Sequence, residues 1–148
     1  MTTQEHGRVA LSVERRLSDG RNPLDLIEWQ TVDARAHRTG DDQKDLIKVE
    51  APSTWSQMAI NIAASKYLKR SASINEGAGE TSIRALIERV VDTISNQGVK
   101  QGYFDDETRG IFRDELCHIL IHQMGAFNSP VYFNCGLMEA YGLSGTNV

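Results

Sequence analysis

The sequence predicts a mainly α-helical chain: a cluster of three helices, preceded by extended segments and followed by one strand. Two observations predict it. Three stretches between residues 53 and 125 repeat apolar residues at three- and four-residue steps, the period of an amphipathic helix. Residues 128–136 alternate instead, with Val131, Phe133 and Cys135 on one face and Tyr132 and Asn134 on the other, which is strand spacing. The chain divides accordingly into an extended, irregular segment 1–52, a helical domain 53–127, and a strand with a Gly-rich tail over 128–148.

Each element has its own signals. Leu24–Trp29 and Asp45–Glu50 are short and rich in branched or aromatic residues and suit strands or extended arms. The polar stretch Asp33–Lys44, with Gly40, reads as a loop or a loose hairpin connection. Pro52 ends regular pairing, because it has no N–H and restricts Ala51. The first helix is expected from Ser53 or Thr54, with Thr54 and Gln57 at capping-box spacing. Its apolar stripe is Trp55, Met58, Ala59, Ile62, Ala63 and Tyr67. Ser71–Gly79 reads as an exposed loop. A second helix begins near Glu80-Thr81 with the stripe Ile83, Leu86, Ile87, Val90, Val91 and Ile94, and Gly98 as its stop. A third follows Tyr103-Phe104, capped by Asp105. Phe112, Leu116, Ile119, Leu120 and Met124 make its buried face, and Gly125 ends it. A lone amphipathic helix gains little stability, so the three should pack together.

Composition excludes several classes. With 148 residues, 40% hydrophobic and 24% charged, the chain can build one core. The net charge of −4 provides no global field for DNA or RNA. No apolar run is long enough to span a membrane. Met1–Arg8 lacks the apolar stretch of a signal peptide, so the expected compartment is the cytoplasm. Cys117 and Cys135 fit neither a CxxC motif nor a four-ligand zinc site and are expected as free thiols.

The chemical constellations are modest. His118 and His122 lie four apart on one helix face, near Glu115 and Cys117. The HExxH zinc arrangement is absent, and surface or hydrogen-bonded histidines are the commoner case. Asp105, Asp106 and Glu107 serve capping and the helix dipole first. Lys66, Lys69 and Arg70 could hold phosphate or form a solvated helix end. Gly77-Ala78-Gly79 lacks the rest of a phosphate-loop pattern. The Asn128-Ser129-Pro130 corner offers a hydroxyl and backbone N–H groups to an anion, although its spacing alone suits a plain helix-to-strand turn. A strand at 131–135 needs neighbours that the following residues do not supply. The sequence therefore suggests a piece of something larger, or pairing with another chain.

Several segments together resemble one family, the class II, vitamin B12-dependent ribonucleotide reductases. Val49–Gln57 looks like its VEVPxxWSQ opening, Ala64–Arg70 its KYF(R/K) helix end, and Glu80–Ile83 its ETS helix start. Gly102–Phe104 matches GYF, Phe112–Leu116 resembles FxDEL, and His122-Gln123 with Ala126–Asn134 resembles HQxxAFNSPVWFN, with Tyr132 at the usual Trp position. The order is the family's from about Val49 to Gly142, and Asp19–Trp29 is a further candidate stretch.

The resemblance implies an N-terminal helical part leading into the first strand of a ten-stranded α/β barrel. The family enzyme reduces ribonucleotides to 2′-deoxyribonucleotides, using adenosylcobalamin to generate a radical that passes to a barrel cysteine. Ser129 then corresponds to the hydroxyl residue that contacts substrate phosphates, with Asn128 beside it. The radical cysteine, its neighbours and the cobalamin contacts would lie beyond Val148. No redox role transfers to Cys117 or Cys135, and no cofactor is expected to bind this chain alone. The implied partners are the ribonucleotide substrate, in the complete enzyme, and a C-terminal reductase chain. The alternative is a non-catalytic helical module that binds a larger reductase or another partner through its exposed strand. A metal-binding helical protein using His118 and His122 is a third reading.

Overall fold

Alternation of small apolar residues builds the first unit. In the computed structural model, which describes residues 10–36, 40 and 45–144, β1 (Trp29–Arg35) and β2 (Leu46–Pro52) form an antiparallel hairpin. Its register runs from Trp29 opposite Pro52 to Arg35 opposite Leu46. Ala34, Val49 and Ala51 on one face are fully buried. The extended segment expected at Leu24–Trp29 is instead a 3-10 turn, Pro23–Asp25, capped by the Asn22 side chain. Pro23 favours this start because its fixed φ suits a helical first position. Of the expected loop Asp33–Lys44, β1 claims the beginning, and residues 37–39 and 41–44 lie outside the described residues.

Helix α1 (Gln57–Lys66) starts later than the Thr54 capping box requires. The chain turns first, with Trp55 N–H donating to Pro52 O at 3.0 Å, and Ser56 is the cap, its hydroxyl accepting from Ala59 N–H at 3.2 Å. Trp55 is thereby left outside the helix, where its indole donates to Ile121 O at 2.8 Å. The expected stripe is also rotated. Ile60, Ala63 and Ala64 are the buried residues of α1, in one core with the hairpin, whereas Met58 is 73% exposed. Nearly every side of α1 carries apolar residues, so periodicity alone could not choose its inner face.

Helix α2 (Ile83–Lys100) buries Ile83, Leu86, Ile87, Val90 and Val91 of its expected stripe, with Ser82 as cap. Gly98 does not stop it. Gly98 lies inside the last turns because the Phe104 ring lies against it: a Cβ there would come within 2.2 Å of the ring. The chain reverses at Gly102, whose φ of +74° suits glycine. Helix α3 (Asp106–Ile121) is capped by Asp105 as the sequence predicts, its carboxylate accepting from Thr108 N–H at 2.8 Å. This bond holds the Asp105 carboxyl below its ordinary range. The buried residues of α3 are Glu115, Cys117, Leu120 and Ile121, while Met124 is 60% exposed beyond its end.

The three helices are not an equal bundle. Helices α2 and α3 pack along each other, while α1 packs chiefly on the hairpin. Thr81 O accepts from Glu50 N–H at 2.9 Å, tying the start of α2 to the edge of β2.

The expected C-terminal strand is a helix. Ser129–Asn134 form α4 and Leu137–Tyr141 form α5. Among the described residues the sheet has two strands, β1 and β2, and neither pairs with this segment. A helix lets the segment satisfy backbone groups locally, as in Cys135 N–H to Val131 O at 2.9 Å. Asn128 as cap and Pro130 in the first turn favour that start.

The polar N-terminal segment is held by one carboxylate. Glu115, only 9% exposed, accepts from the backbone N–H groups of Arg16, Leu17 and Ser18 and from the Ser18 hydroxyl. Three successive N–H groups form an anion nest. Burial pushes the Glu115 carboxyl up, but these donors outweigh it and hold the pKa below the ordinary value. Stability from a lowered carboxyl is fully present above its ordinary pKa and is lost as pH falls through the folded one. The Glu115→Gln variant should lose about 1–3 kcal/mol near neutral pH. It should also show a flatter acid limb when urea midpoints are measured between about pH 3 and 7.

Candidate functional site

The Asn128–Ser129 corner opens α4 beside the end of α1. Asn128 is exposed, and its side chain accepts from Ser129 N–H at 2.9 Å. Ser129 is half-buried, with its hydroxyl 3.2 Å from that of Tyr67, just past the end of α1. The Tyr67 ring packs against Tyr132 and Phe133, with centroids 5.0 and 5.7 Å apart. Tyr132 accepts from Phe127 N–H at 3.3 Å through its hydroxyl. Spacing placed Ser129 and Asn128 at a corner, and the structure adds Tyr67 as the neighbour.

Beneath this corner lies a buried ion pair that sequence reading missed. Arg89 of α2 donates to the Glu80 carboxylate at 2.9 and 3.2 Å, with side chains 1% and 0% exposed. The same guanidinium donates to Tyr132 O at 2.8 Å, Cys135 O at 2.7 Å and Tyr67 O at 3.2 Å. Glu80 in turn accepts from Lys69 N–H and the Tyr141 hydroxyl, each at 2.8 Å. Burial, followed by this bond to a carboxylate, pushes the Tyr141 hydroxyl well above its ordinary pKa. The available signal was an arginine directly beside the buried Val90 and Val91 of a helix, opposite an acid in the preceding loop.

Beside Phe133 and Asn134 opens a cleft of about 420 Å³ that also takes in Lys66, Lys69 and Arg70. Arg70 donates to Ala78 O at 3.0 Å, and burial lowers its pKa. The cations named from the sequence thus stand on the same side of α1 as α4.

The remaining candidates separate from this site. The His118 and His122 rings are 4.2 Å apart, as their spacing predicts. Burial, then the His118 charge, lowers the His122 pKa. Among the described residues no group of three His, Cys, Asp or Glu side chains is placed to hold a metal ion. Cys117 and Cys135 are both free thiols. Burial pushes Cys117 up to about 12, and it also raises Cys135. Neither thiol is an activated nucleophile. Cys135 follows a helix rather than lying on a strand face.

Residues 30–123 match the family model of class II vitamin B12-dependent ribonucleotide reductase. The chain belongs to the class II vitamin B12-dependent ribonucleotide reductase family. A vitamin B12-dependent ribonucleotide reductase of Rhodopirellula baltica is 38% identical over 143 residues, covering 93% of this chain and 14% of the relative. Those of Streptomyces avermitilis and Streptomyces clavuligerus are 37% and 35% identical over 138 residues, covering 90% of this chain and 14% of each. This reductase-family chain therefore spans about one-seventh of the length of the curated relatives it matches. No helix among its described residues is long and apolar enough to cross a membrane. An exposed strand edge, the contact expected of a reductase-binding module, is replaced by α4.

The ion pair and the turn after α4 can both be tested. The Arg89→Met variant leaves the Glu80 carboxylate buried without its charge partner and should lose about 3–5 kcal/mol, read by denaturant unfolding. Amides of α4 and α5 should exchange faster before global unfolding. Gly136 has φ +82°, and a Cβ there would lie 2.2 Å from Arg89 O. Gly136→Ala should cost about 2 kcal/mol or more, from backbone strain and the clash, with the thermal midpoint as the readout.

Proposed function

We propose that this chain is the N-terminal helical region of an adenosylcobalamin-dependent ribonucleotide reductase and acts only together with the rest of that enzyme. The supporting observation is the family match over residues 30–123, combined with coverage of about one-seventh of each relative. The complete enzyme reduces ribonucleotides to 2′-deoxyribonucleotides, the precursors of DNA. Adenosylcobalamin supplies the radical chemistry when bound. The two clefts beside α4, about 400 and 420 Å³, do not fit a corrin ring with its nucleotide tail. The cofactor is assigned to the remainder of the enzyme, which is this chain's partner, and the compartment to the cytoplasm. The radical cysteine is assigned there as well, since the Cys117 thiol is fully buried and out of a substrate's reach.

Within this chain, Ser129 is the residue assigned to substrate phosphates, with Asn128 in a lesser role. Its half-buried hydroxyl stands against the Tyr67 hydroxyl, and Lys66, Lys69 and Arg70 favour an anion on the same side. Arg89 works indirectly, by fixing the carbonyls of Tyr67 and Tyr132 on either side of the corner.

The test is reconstitution. The chain is mixed with a Rhodopirellula baltica reductase lacking the matched portion, together with adenosylcobalamin, a reductant and a ribonucleotide. Deoxyribonucleotide should form only when both chains are present. Equal turnover with and without this chain, or none in the mixture, would count against the reading. The Ser129→Ala variant should weaken substrate use by about 3- to 10-fold, mainly through KM.

A further inference from the structure

Helix α1 presents two apolar faces. Ile60 and Ala64 are buried with the hairpin. On its other face, Ala59, Ile62 and Tyr67 form one wall of a groove of about 400 Å³, opposite Leu120, Ala126 and Tyr132. The groove exists because α1 rests on the hairpin rather than closing onto α2 and α3. Its polar groups are few. The Trp55 indole is bonded to Ile121 O, the Tyr67 hydroxyl to Ser129 and the Tyr132 hydroxyl to Phe127 N–H, which leaves the Gln123 amide.

We propose that this groove is the docking surface for an apolar segment of the reductase's catalytic remainder, an inference that rests on the reading above. Apolar exposure continues past the groove: Ile62 is 43% exposed, Met58, one helical turn before it, 73%, and Met124, next to the lining Gly125, 60%. Contiguous apolar exposure of this kind marks an interaction surface. A small-molecule pocket would need several convergent polar groups to fix orientation, and here the Trp55, Tyr67 and Tyr132 groups are already bonded within the chain. Most of the length of the curated relatives lies outside the match, so a large body of reductase chain is available to cover it. Tyr132 in the wall belongs to α4, so the groove reaches the C-terminal helices as well as α1. The inserted side chains are aliphatic or aromatic and uncharged, because a charge placed here would lose water without gaining a partner.

The test titrates the 148-residue chain with the Rhodopirellula baltica reductase lacking the matched portion, by calorimetry. Ile62→Glu and Met58→Glu alter exposed side chains, so the fold is retained, as circular dichroism can verify. Each should weaken binding at least about tenfold. Leu26→Glu alters an apolar residue 45% exposed outside the groove and should leave affinity unchanged. Equal affinity for all three variants overturns the groove and leaves the reductase reading standing. No binding by the unmodified chain counts against both, and a normal reconstitution assay would then confine the failure to the groove. Self-association that Ile62→Glu abolishes, seen by ultracentrifugation, assigns the groove to a second copy and also overturns the proposal.

Discussion

The Arg89–Glu80 pair is the constraint on which the C-terminal half of the structure depends. Both charges are out of water, and desolvation of such a pair is tolerable only when every remaining donor and acceptor is used. Here that condition is close to met. Arg89 gathers carbonyls from Tyr67, Tyr132 and Cys135, and Glu80 gathers Lys69 N–H and the Tyr141 hydroxyl. The pair therefore joins the end of α1, the loop before α2, α4 and α5 at one point. Helices α4 and α5 bury little of their own: α4 has no buried residue and α5 only Leu137. Their placement rests on this hydrogen-bonded node more than on apolar area.

Glu115 does the same for the N-terminal segment. A chain with no regular structure of its own has no ladder to satisfy its backbone groups. A buried carboxylate supplies three acceptances in succession, and the Arg15–Asp114 pair at 2.7 Å extends the contact. Segments near both ends of the described residues are thus held by a buried acid, and the apolar core of α2, α3 and the hairpin lies between them.

This division explains what could be read from the sequence. The stripe of α2 and the Asp105 cap were legible because each is a local pattern with one solution: five apolar residues at helical steps, or an acid ahead of three free N–H groups. The inner face of α1 was not legible, since Ile60 and Ile62 are equally apolar and the hairpin decides between them. Gly98 misled because glycine permits a helix stop and also permits close approach of an aromatic ring, and only the position of Phe104 distinguishes the two. Ser129 and Asn128 were found as a corner. The groups that support that corner, Arg89 and Tyr67, come from distant parts of the chain, so no spacing rule could have placed them there.

The segment 129–135 carries two solutions in one sequence. Val131, Phe133 and Cys135 alternate with polar or amphipathic residues as a strand would, and branched and aromatic residues favour that state. A strand, however, obtains its hydrogen bonds from neighbours, and the hairpin offers none to this segment. Pro130 lacks an N–H, Asn128 caps the first turn, and Arg89 accepts the role of partner for two carbonyls near the helix end. Together these satisfy the backbone without any adjacent strand, at the expense of leaving Phe133 40% exposed. The helix is therefore the solution set by local hydrogen bonding, and the alternating pattern is a preference that only neighbouring strands could express.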